Sequence, residues 1–389
     1  MKSLKLRIIG SLIFILFFSL NTIQAQDAET LYNEGLDKLK RLKKVEAKLL
    51  FTQAIEKDAK HAKSYYQRGT IHKHFNETEE ALADFKKVTF LESDFKNEAH
   101  FEIGLIKVDQ GDYKGSVIDF SIVLNSDSTN SKAYYLRGIS NKLSNQYEVA
   151  LLDFKSAIKH DTNNTDAYFQ KGTVEVETEK FNEAIETLTK TIQKSPKHAQ
   201  AYFVRGISHF EEASRKEFDH KKSHLHSALS DFNKCLEIDE KIEPAYFDRG
   251  EVKMELRDYI GAIADFKKAI ELKPNDLEAH YLKAICNYHY GYEDIATKEM
   301  KDIVNMDSTY ANARYFIAER LYETQKYKEA LVEFNKLFNI EEPHADAYVF
   351  RGYTKFELGD KIGACADWTE ASKLGDKEAE HDLKKYCKK

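Results

Sequence analysis

Residues 201–206 read AYFVRG, and close variants of this stretch return along the chain. They are SYYQRG at 64–69, AYYLRG at 133–138, AYFQKG at 167–172, AYFDRG at 245–250 and AYVFRG at 347–352. Aligned on their last residue, these stretches and four more divergent ones mark ten units, spaced 34 or 35 residues apart except for one gap of 44. Such a period indicates a repeat architecture, in which each unit packs against its neighbours.

Small and large residues recur in a fixed order inside each unit. If the anchoring Gly or Ala is numbered position 8, a small residue stands at position 20 and a large apolar one, most often Phe, at position 24. Position 27 is often small again, as at Ala54 and Ala157. Small residues let two antiparallel helices approach closely, and large ones fill the space between units. The pattern therefore predicts stacked helical hairpins.

The aromatic residue at position 4, Gly at 8, Ala at 20 and Phe at 24 resemble the tetratricopeptide repeat. The resemblance covers about residues 28–378 and implies an all-α, right-handed superhelical solenoid of about ten helix-turn-helix hairpins. A capping helix is expected at 379–389, after the last hairpin. The expected repeats are 28–61, 62–96, 97–130, 131–164, 165–198, 199–242 with an insertion near 211–226, 243–276, 277–310, 311–344 and 345–378.

The first 25 residues have a different character. Lys2, Lys5 and Arg7 precede the apolar run IIGSLIFILFFSL at 8–20, and NTIQA follows. This arrangement predicts a secretory signal peptide at 1–25, cleaved after Ala25, and a repeat domain at 26–389. The alternative is an uncleaved anchor, and only that alternative implies contact with a membrane. The protein is therefore expected to be exported, to the periplasm or elsewhere in the cell envelope, or to be secreted.

The charge balance argues against nucleic acid as a partner. The chain has 59 basic and 65 acidic residues, and removal of residues 1–25 takes away three basic residues and no acidic one. The remainder has 56 basic against 65 acidic residues, a net charge of −9. Proteins that bind nucleic acid gather Lys and Arg on one surface, and no such cluster is present in this sequence.

Five repeats have Arg at position 7, and each of these has Asp at position 23. The pairs are Arg68 with Asp84, Arg137 with Asp153, Arg205 with Asp231, Arg249 with Asp265 and Arg351 with Asp367. The two positions lie at similar heights on facing helices, so partly buried ion pairs are expected to fix the helix register. The alternative is a row of arginines that binds phosphate or carboxylate ligands.

The resemblance also implies a concave groove, formed mainly by positions 2, 5, 9, 12 and 13 of each first helix. In repeats 6–10 these positions are aromatic and acidic. They include Phe210, Glu211, Glu251, Met254, Glu255, Tyr288, Glu319, Tyr322, Glu323, Phe356 and Glu357. Such a groove suits another protein with a basic or apolar segment. In the alternative interpretation, the aromatic residues are ordinary packing and the glutamates a solvated face.

No arrangement of residues typical of catalysis, cofactor binding or a metal centre is recognisable, so a non-catalytic interaction scaffold is expected, without cofactor or metal. The alternative function is a ligand-binding or metal-binding sensor that uses the insertion, where His220 and His224 stand four residues apart. A further hypothesis is a disulfide between Cys365 and Cys387. In an oxidising compartment this bond would attach the capping helix to the last repeat. The sequence does not fix an oligomeric state.

Overall fold

The computed structural model describes residues 27–91, 93–215, 218–340 and 344–387. Within these ranges the regular structure is entirely α-helical, with 21 helices and no strand. The proposed signal peptide lies outside the described residues. The described part of the chain divides into two compact units after Thr178, and no helix in it is both long and apolar enough to cross a membrane.

The first unit contains nine helices. They are α1 Ala28–Lys40, α2 Lys44–Lys57, α3 Ala62–His74, α4 Thr78–Phe90, α5 Lys96–Asp109, α6 Tyr113–Ser126, α7 Ser131–Leu143, α8 Tyr147–His160 and α9 Thr165–Glu177. Helices α1 to α8 form four hairpins, each packed on the next, and α9 packs against α8.

The second unit contains twelve helices. They are α10 Phe181–Lys194, α11 Ala199–Ser214, α12 Phe218–Ile238, α13 Glu243–Glu255, α14 Tyr259–Leu272, α15 Leu277–Tyr290, α16 Glu293–Met306, α17 Ala311–Glu323, α18 Tyr327–Leu337, α19 Ala345–Glu357, α20 Lys361–Lys373 and α21 Lys377–Tyr386. Helix α10 packs against α11, five hairpins follow, and α21 covers the last of them. An odd number thus marks the first helix of each repeat, and an even number marks the second.

The position 8 glycine and the position 24 ring decide how closely the two helices of a hairpin approach. Phe154 is fully buried against Gly138. A Cβ atom on Gly138 would lie 2.7 Å from Cε1 of that ring, which is far inside van der Waals contact. The same relationship recurs in other hairpins, for example between Gly250 and Phe266. The repeated glycine in the opening sequence stretch is therefore a packing requirement.

The turn between the two helices of a repeat uses a left-handed residue at position 15. Positive φ angles occur at Leu42, Asn76, Gly111, Asn145, Glu179, Arg257, Gly291, Gln325 and Gly359, one in each repeat except the sixth. Only Gly adopts this conformation without a steric cost, and Asn tolerates it better than most residues. In the sixth repeat the ten extra residues lengthen both helices instead, so that α11 has 16 residues and α12 has 21.

The last helix is fastened to the last hairpin by one covalent bond and one buried hydrogen bond. Cys365 on α20 and Cys387 after α21 form a disulfide with a Cα–Cα distance of 5.8 Å. Tyr353 donates its hydroxyl to the buried Asp382 at 2.7 Å. The Tyr386 ring lies 4.9 Å from that of Phe356 and 6.0 Å from that of Trp368. The cap thus covers an apolar face that would otherwise meet water.

Candidate partner-binding groove

The structure brings together the members of all five Arg–Asp pairs. Arg68 is representative: its Nε donates to Asp84 Oδ2 at 2.8 Å and its Nη2 donates to Asp84 Oδ1 at 2.7 Å. The other four pairs have the same two-point contact. The carboxylates are nearly buried, with 4–6% of each aspartate side chain exposed. Each guanidinium also lies over the Tyr at position 4 of its own repeat.

The remaining guanidinium nitrogen of each arginine, Nη1, donates a hydrogen bond to the preceding repeat. This contact was not predicted from the sequence. Arg68 Nη1 donates to Thr52 Oγ1, 3.2 Å away on α2. The equivalent acceptors stand at position 25, which is 16 residues before the arginine in every case. They are Ser121 for Arg137, Thr189 for Arg205, Asn233 for Arg249 and Asn335 for Arg351. Each of the five guanidinium groups thus has a protein acceptor for Nε, Nη1 and Nη2, which weighs against an arginine row for anionic ligands.

The repeats that lack this arginine also lack the acceptor. Position 7 is Ile103, Lys171, Lys283 or Ile317 in those repeats. The preceding position 25 is then Lys86, Lys155, Lys267 or Lys301. Across all nine junctions between repeats, position 25 is Thr, Ser or Asn when the next position 7 is Arg, and it is Lys when the next position 7 is Ile or Lys. This relationship between position 25 of one repeat and position 7 of the next is a sequence signal that could have revealed the contact.

Acids without an arginine at position 7 find other partners. Asp119 accepts hydrogen bonds from His100 at 2.7 Å and from Lys107 at 2.6 Å. Glu333 pairs with Arg314, which stands at position 4 like His100. Asp119 and Glu333 stand opposite Ile at position 7, and in both repeats a base at position 4 takes the place of the arginine. Lys171, which has no acid at position 23, forms an ion pair with Glu175 on the same helix.

The aromatic residues expected in the groove are half-buried in the packing between repeats. Tyr288 meets Phe316 edge-on at 5.3 Å, and Tyr322 meets Phe350 at 5.7 Å. Phe356 lies 5.7 Å from Trp368. Phe210 and Met254 pack against the apolar clusters of repeats 6 and 7. These five side chains therefore take part in the packing of the repeats, as the alternative interpretation expected for the aromatic residues.

The acidic side chains come together most densely on α13. Burial raises the pKa of Glu251 to about 7, and Glu278, Glu211 and Glu255 add to the effect. Burial likewise raises the pKa of Asp248 to about 7, with further contributions from Glu251, Glu243 and Glu211. Within the described residues neither side chain has a hydrogen bond or an ion pair. Asp248, Glu243 and Glu278 were not among the residues predicted from the sequence. Asp248 and Glu243 stand at positions 6 and 1, outside the groove positions, and Glu278 at position 2 was missed.

We call the group formed by Glu211, Asp248, Glu251, Glu255 and Glu278 the acidic groove. Two of its members have partners: Glu255 pairs with Lys221 at 2.7 Å, and Glu278 accepts a hydrogen bond from the Tyr310 hydroxyl. Asp248 and Glu251 have no cation beside them among the described residues. The aspartates at position 23 are also shielded from water, but each of them is paired with a basic side chain. A half-buried carboxylate without a cation is unfavourable when ionised, so the acidic groove is suited to receive a positive charge from outside.

The predicted residues nearer the C-terminus form a second acidic group. Burial raises the pKa of Glu319, and the neighbouring Glu323 adds to the shift. Glu319 accepts a hydrogen bond from the Tyr315 hydroxyl at 3.4 Å. Glu323 pairs with Arg320, which also contacts Glu293. Glu357 is exposed on α19. This second group is partly neutralised by Arg320, so it offers less uncompensated charge than the acidic groove.

Groove positions in the first unit line a cavity of about 330 Å³. Tyr66 and Phe101 form its apolar wall, while Glu98, Glu102 and Lys132 give it charges of both signs. The sequence reasoning placed the groove in repeats 6–10 because aromatic and acidic residues are more frequent there. This cavity was not predicted. Its aromatic residues stand at position 5, which is aromatic in almost every repeat, and its polar residues come from two different repeats.

The insertion in repeat 6 places two imidazoles against each other, but not the expected pair. His224 Nδ1 lies 3.2 Å from His209 Nδ1 across the hairpin, whereas His220 is exposed. Burial lowers the pKa of His209 to about 4, so the ring is neutral at physiological pH. Within the part of the chain that the structure describes, no three His, Cys, Asp or Glu residues are grouped as metal ligands would be. Two imidazoles alone do not complete a zinc centre.

Comparison with protein families agrees with this architecture. A model of the tetratricopeptide repeat matches residues 62–94 and 243–276, and a second model of the same repeat matches residues 169–217. Three segments of the chain thus match the tetratricopeptide repeat. Helical hairpins of the same kind also lie before, between and after these segments.

Curated relatives match short parts of the chain. The human mitochondrial import receptor subunit TOM70 is 25% identical over 137 residues, which are 33% of this chain and 22% of the relative. The protein SGT1 homolog of Bos taurus is 40% identical over 63 residues, or 16% of this chain and 19% of the relative. This chain thus spans about a fifth of the length of the relatives it matches. A solved tetratricopeptide repeat protein from Parabacteroides merdae is 19% identical, with 75% of this chain and 99% of that one covered and a TM-score of 0.43.

Proposed function

We propose that this protein is a non-catalytic protein–protein interaction scaffold, which holds a Lys- or Arg-bearing segment of another protein on the acidic groove. The observation that supports this most strongly is that two members of the acidic groove, Asp248 and Glu251, have no ion pair or hydrogen bond among the described residues. An incoming ammonium or guanidinium group would supply the cation that these carboxylates lack.

The packing around the groove favours an extended partner over a small cation. The acidic groove spans three first helices, α11, α13 and α15, and two of these helices also carry the half-buried rings of Phe210 and Tyr288. A peptide or helix with apolar residues between basic ones matches this combination. Tetratricopeptide relatives include an import receptor subunit, which is consistent with a role in holding other proteins.

We also propose that the protein acts outside the cytoplasm, in the bacterial cell envelope or beyond it. Two observations support this. The first is the signal-like pattern at 1–25. The second is the disulfide between Cys365 and Cys387, since disulfides persist mainly in oxidising compartments. Cell fractionation with N-terminal sequencing tests the proposal: an envelope fraction with a chain that begins at Gln26 supports it, and a cytoplasmic chain that begins at Met1 contradicts it.

The groove is tested by cross-linked capture from intact cells. The native chain is compared with a variant in which four acidic residues of the concave face are changed to Lys, namely Glu211, Glu255, Glu323 and Glu357. A matched control reverses four exposed acids elsewhere, namely Glu186, Glu240, Asp294 and Asp302. We expect one protein to be captured by the native chain and the control, and lost in the groove variant. Equal capture by all three chains would show that the partner binds elsewhere.

A smaller change tests the central carboxylates alone. The double variant Asp248→Asn and Glu251→Gln keeps the shape of both side chains and removes their charge. We expect it to weaken capture of the same partner about tenfold or more, because a charge-assisted hydrogen bond contributes about 1.5–3 kcal/mol. Unchanged capture by this variant, together with loss in the four-residue variant, would move the binding site to the rim of the groove.

A further inference from the structure

The junction between repeats 8 and 9 is built differently from the five that contain an arginine. In those junctions, position 7 is Arg, and in four of these repeats a further polar side chain at position 11 also reaches the aspartate at position 23. Lys253 and Lys355 each lie 2.7 Å from that aspartate, and Asn141 donates to it at 2.9 Å. His72 lies 3.7 Å from Asp84. In repeat 9 both positions are apolar, as Ile317 and Leu321. The acid at position 23, Glu333, is instead paired with Arg314 at position 4, so no side chain from position 7 or 11 reaches it.

A cavity of about 660 Å³ lies at this junction, between α16, α17 and α18. Its apolar lining consists of Val304, Ile317, Leu321 and Val332. Val332 is 52% exposed, which is unusual for a residue that lines a cavity and shows that the apolar surface is open to solvent. Ligand-binding cavities of proteins commonly have this size, an apolar lining and a few polar groups that orient the ligand.

The charged side chains that line the cavity have a net charge of +1, which favours an anion: Lys301, Arg314 and Lys336 stand against Glu329 and Glu333. Glu333 is neutralised, since one oxygen accepts from Arg314 and the other lies 2.8 Å from Lys336. Lys301 lines the cavity and has no ion pair or hydrogen bond within the described residues. Arg314 is 6% exposed, and its buried Nε finds no acceptor among those residues. The amide of Asn305 adds a further donor to the lining.

We propose that this cavity is a second binding site, which takes a small amphipathic carboxylate, with the hydrocarbon chain on Ile317, Leu321, Val304 and Val332 and the carboxylate near Lys301. The site is formed by the second helices α16 and α18 together with α17, and it shares no residue with the acidic groove, whose negative charge disfavours the same ligand. The cavity lies where Ile317 and Leu321 stand at positions 7 and 11, whereas the equivalent junction between repeats 2 and 3 has Ile103 at position 7 and Lys107 at position 11.

The test uses octanoate as the probe and methyl NMR of the full chain as the readout. We expect octanoate to shift the methyl signals of Ile317, Leu321, Val304 and Val332 in a saturable way. Lys301→Gln is expected to weaken binding about two- to fivefold, the range of a partly exposed ion pair. Octylammonium, which has the same chain and the opposite charge, is expected to bind more weakly than octanoate.

A second variant fills the cavity. Lys301→Asn with Ile317→Arg recreates the arginine junction and is expected to abolish the octanoate shifts while the chain stays folded. Lys86→Asn with Ile103→Arg makes the same change between repeats 2 and 3, and Lys267→Gln removes the equivalent lysine between repeats 7 and 8; both are expected to retain octanoate binding. Absence of methyl shifts up to the solubility limit overturns the site, and equal binding of octanoate and octylammonium overturns the assignment of a carboxylate.

Discussion

Arg249 Nη1 donates a hydrogen bond to Asn233 Oδ1, 2.8 Å away on the preceding repeat, while Nε and Nη2 of the same guanidinium hold Asp265 in its own repeat. One side chain thus joins three helices, α12, α13 and α14. Stacked repeats owe their stability partly to the interfaces between neighbours. An arginine suits this place because its planar group offers donors in several fixed directions, which a lysine does not.

The first prediction concerns the aspartate at the centre of this contact. Asp265→Asn removes the negative charge between Arg249 and Lys253 and leaves two cations side by side in a nearly buried place. We expect the variant to lose about 3 kcal/mol of unfolding free energy, the usual effect of breaking one side of a buried ion pair. Urea denaturation measures this loss, and Asp302→Asn on an exposed surface is the control. A loss below about 1 kcal/mol would show that the pair is not needed for stability.

The second prediction tests the coupling between positions 7 and 25. The junction between repeats 7 and 8 has Lys267 at position 25 and Lys283 at position 7, and Lys283 reaches Glu299 at 3.1 Å. Lys283→Arg alone would bring a guanidinium toward the Lys267 side chain, whereas Lys267→Asn with Lys283→Arg supplies an acceptor. We expect a favourable interaction energy of about 1 kcal/mol in the double-mutant cycle. Additive effects of the two changes would mean that the sequence correlation has no energetic basis.

The sequence predicted the all-helical architecture well because a single pattern recurs ten times. The small residue at position 8 and the large side chain at position 24, for example Gly138 and Phe154, specify one hairpin. The same two positions recur in the other repeats and predict the same hairpin there. The Arg249–Asp265 pairing followed from the same register. The contact between Arg249 and Asn233 did not, since it joins two repeats and each repeat had been compared only with itself.

The sequence was less informative about the groove, for a physical reason. The charge state of Asp248 and Glu251 depends on burial and on acids from neighbouring repeats, such as Glu211 and Glu278. A residue at a single position does not reveal that environment. The aromatic residues expected in the groove, such as Tyr322 and Phe356, proved to be half-buried between repeats, because the same position serves packing and surface at once.

The third prediction is a pH dependence of stability. The pKa of Asp248 rises from 3.8 to about 7 and that of Glu251 from 4.5 to about 7, so both groups bind protons more tightly in the folded chain than in the unfolded one. Ionisation of these groups therefore costs folding free energy, and stability is lost as the pH rises from about 4 through about 7. We expect Asp248→Asn with Glu251→Gln to be more stable than the native chain at pH 8 and to lose this advantage at pH 5.

Urea denaturation at pH 5, 6, 7 and 8 checks this expectation. Glu186→Gln removes an exposed carboxylate outside the groove and serves as the control. A constant difference between the double variant and the native chain at all four pH values would contradict the proposed environment of Asp248 and Glu251. The same titration predicts that a basic partner binds more tightly at pH 8 than at pH 6, because the groove then carries its full negative charge.

The fourth prediction concerns the disulfide of the cap. Cys365 and Cys387 are 22 residues apart, and closing a loop of this size stabilises a fold by about 3 kcal/mol. We expect Cys365→Ser with Cys387→Ser to speed hydrogen exchange in α21 and to leave exchange in α13 unchanged, since each repeat contacts mainly its neighbours. Cys235 and Cys286 are buried and unpaired, so changing one of them to Ala is the control for loss of a thiol. Equal exchange in α21 with and without the disulfide would mean that the Tyr353–Asp382 contact alone holds the cap.

The last prediction follows from the turn residue of repeat 7. Arg257 has a φ of 62°, a left-handed conformation in which its Cβ atom crowds the backbone. The same position is occupied by Gly359 in repeat 10, where φ is 85° and a Cβ atom would meet nothing within 4 Å. The only penalty for a side chain at this turn is therefore the backbone conformation. We expect Arg257→Gly to gain about 1 kcal/mol and Gly359→Ala to lose about as much, since a left-handed conformation costs about 1–2 kcal/mol for an L residue. Thermal and urea denaturation check both signs, and a gain from Gly359→Ala would mean that the reduced freedom of the unfolded chain outweighs the strain of the turn.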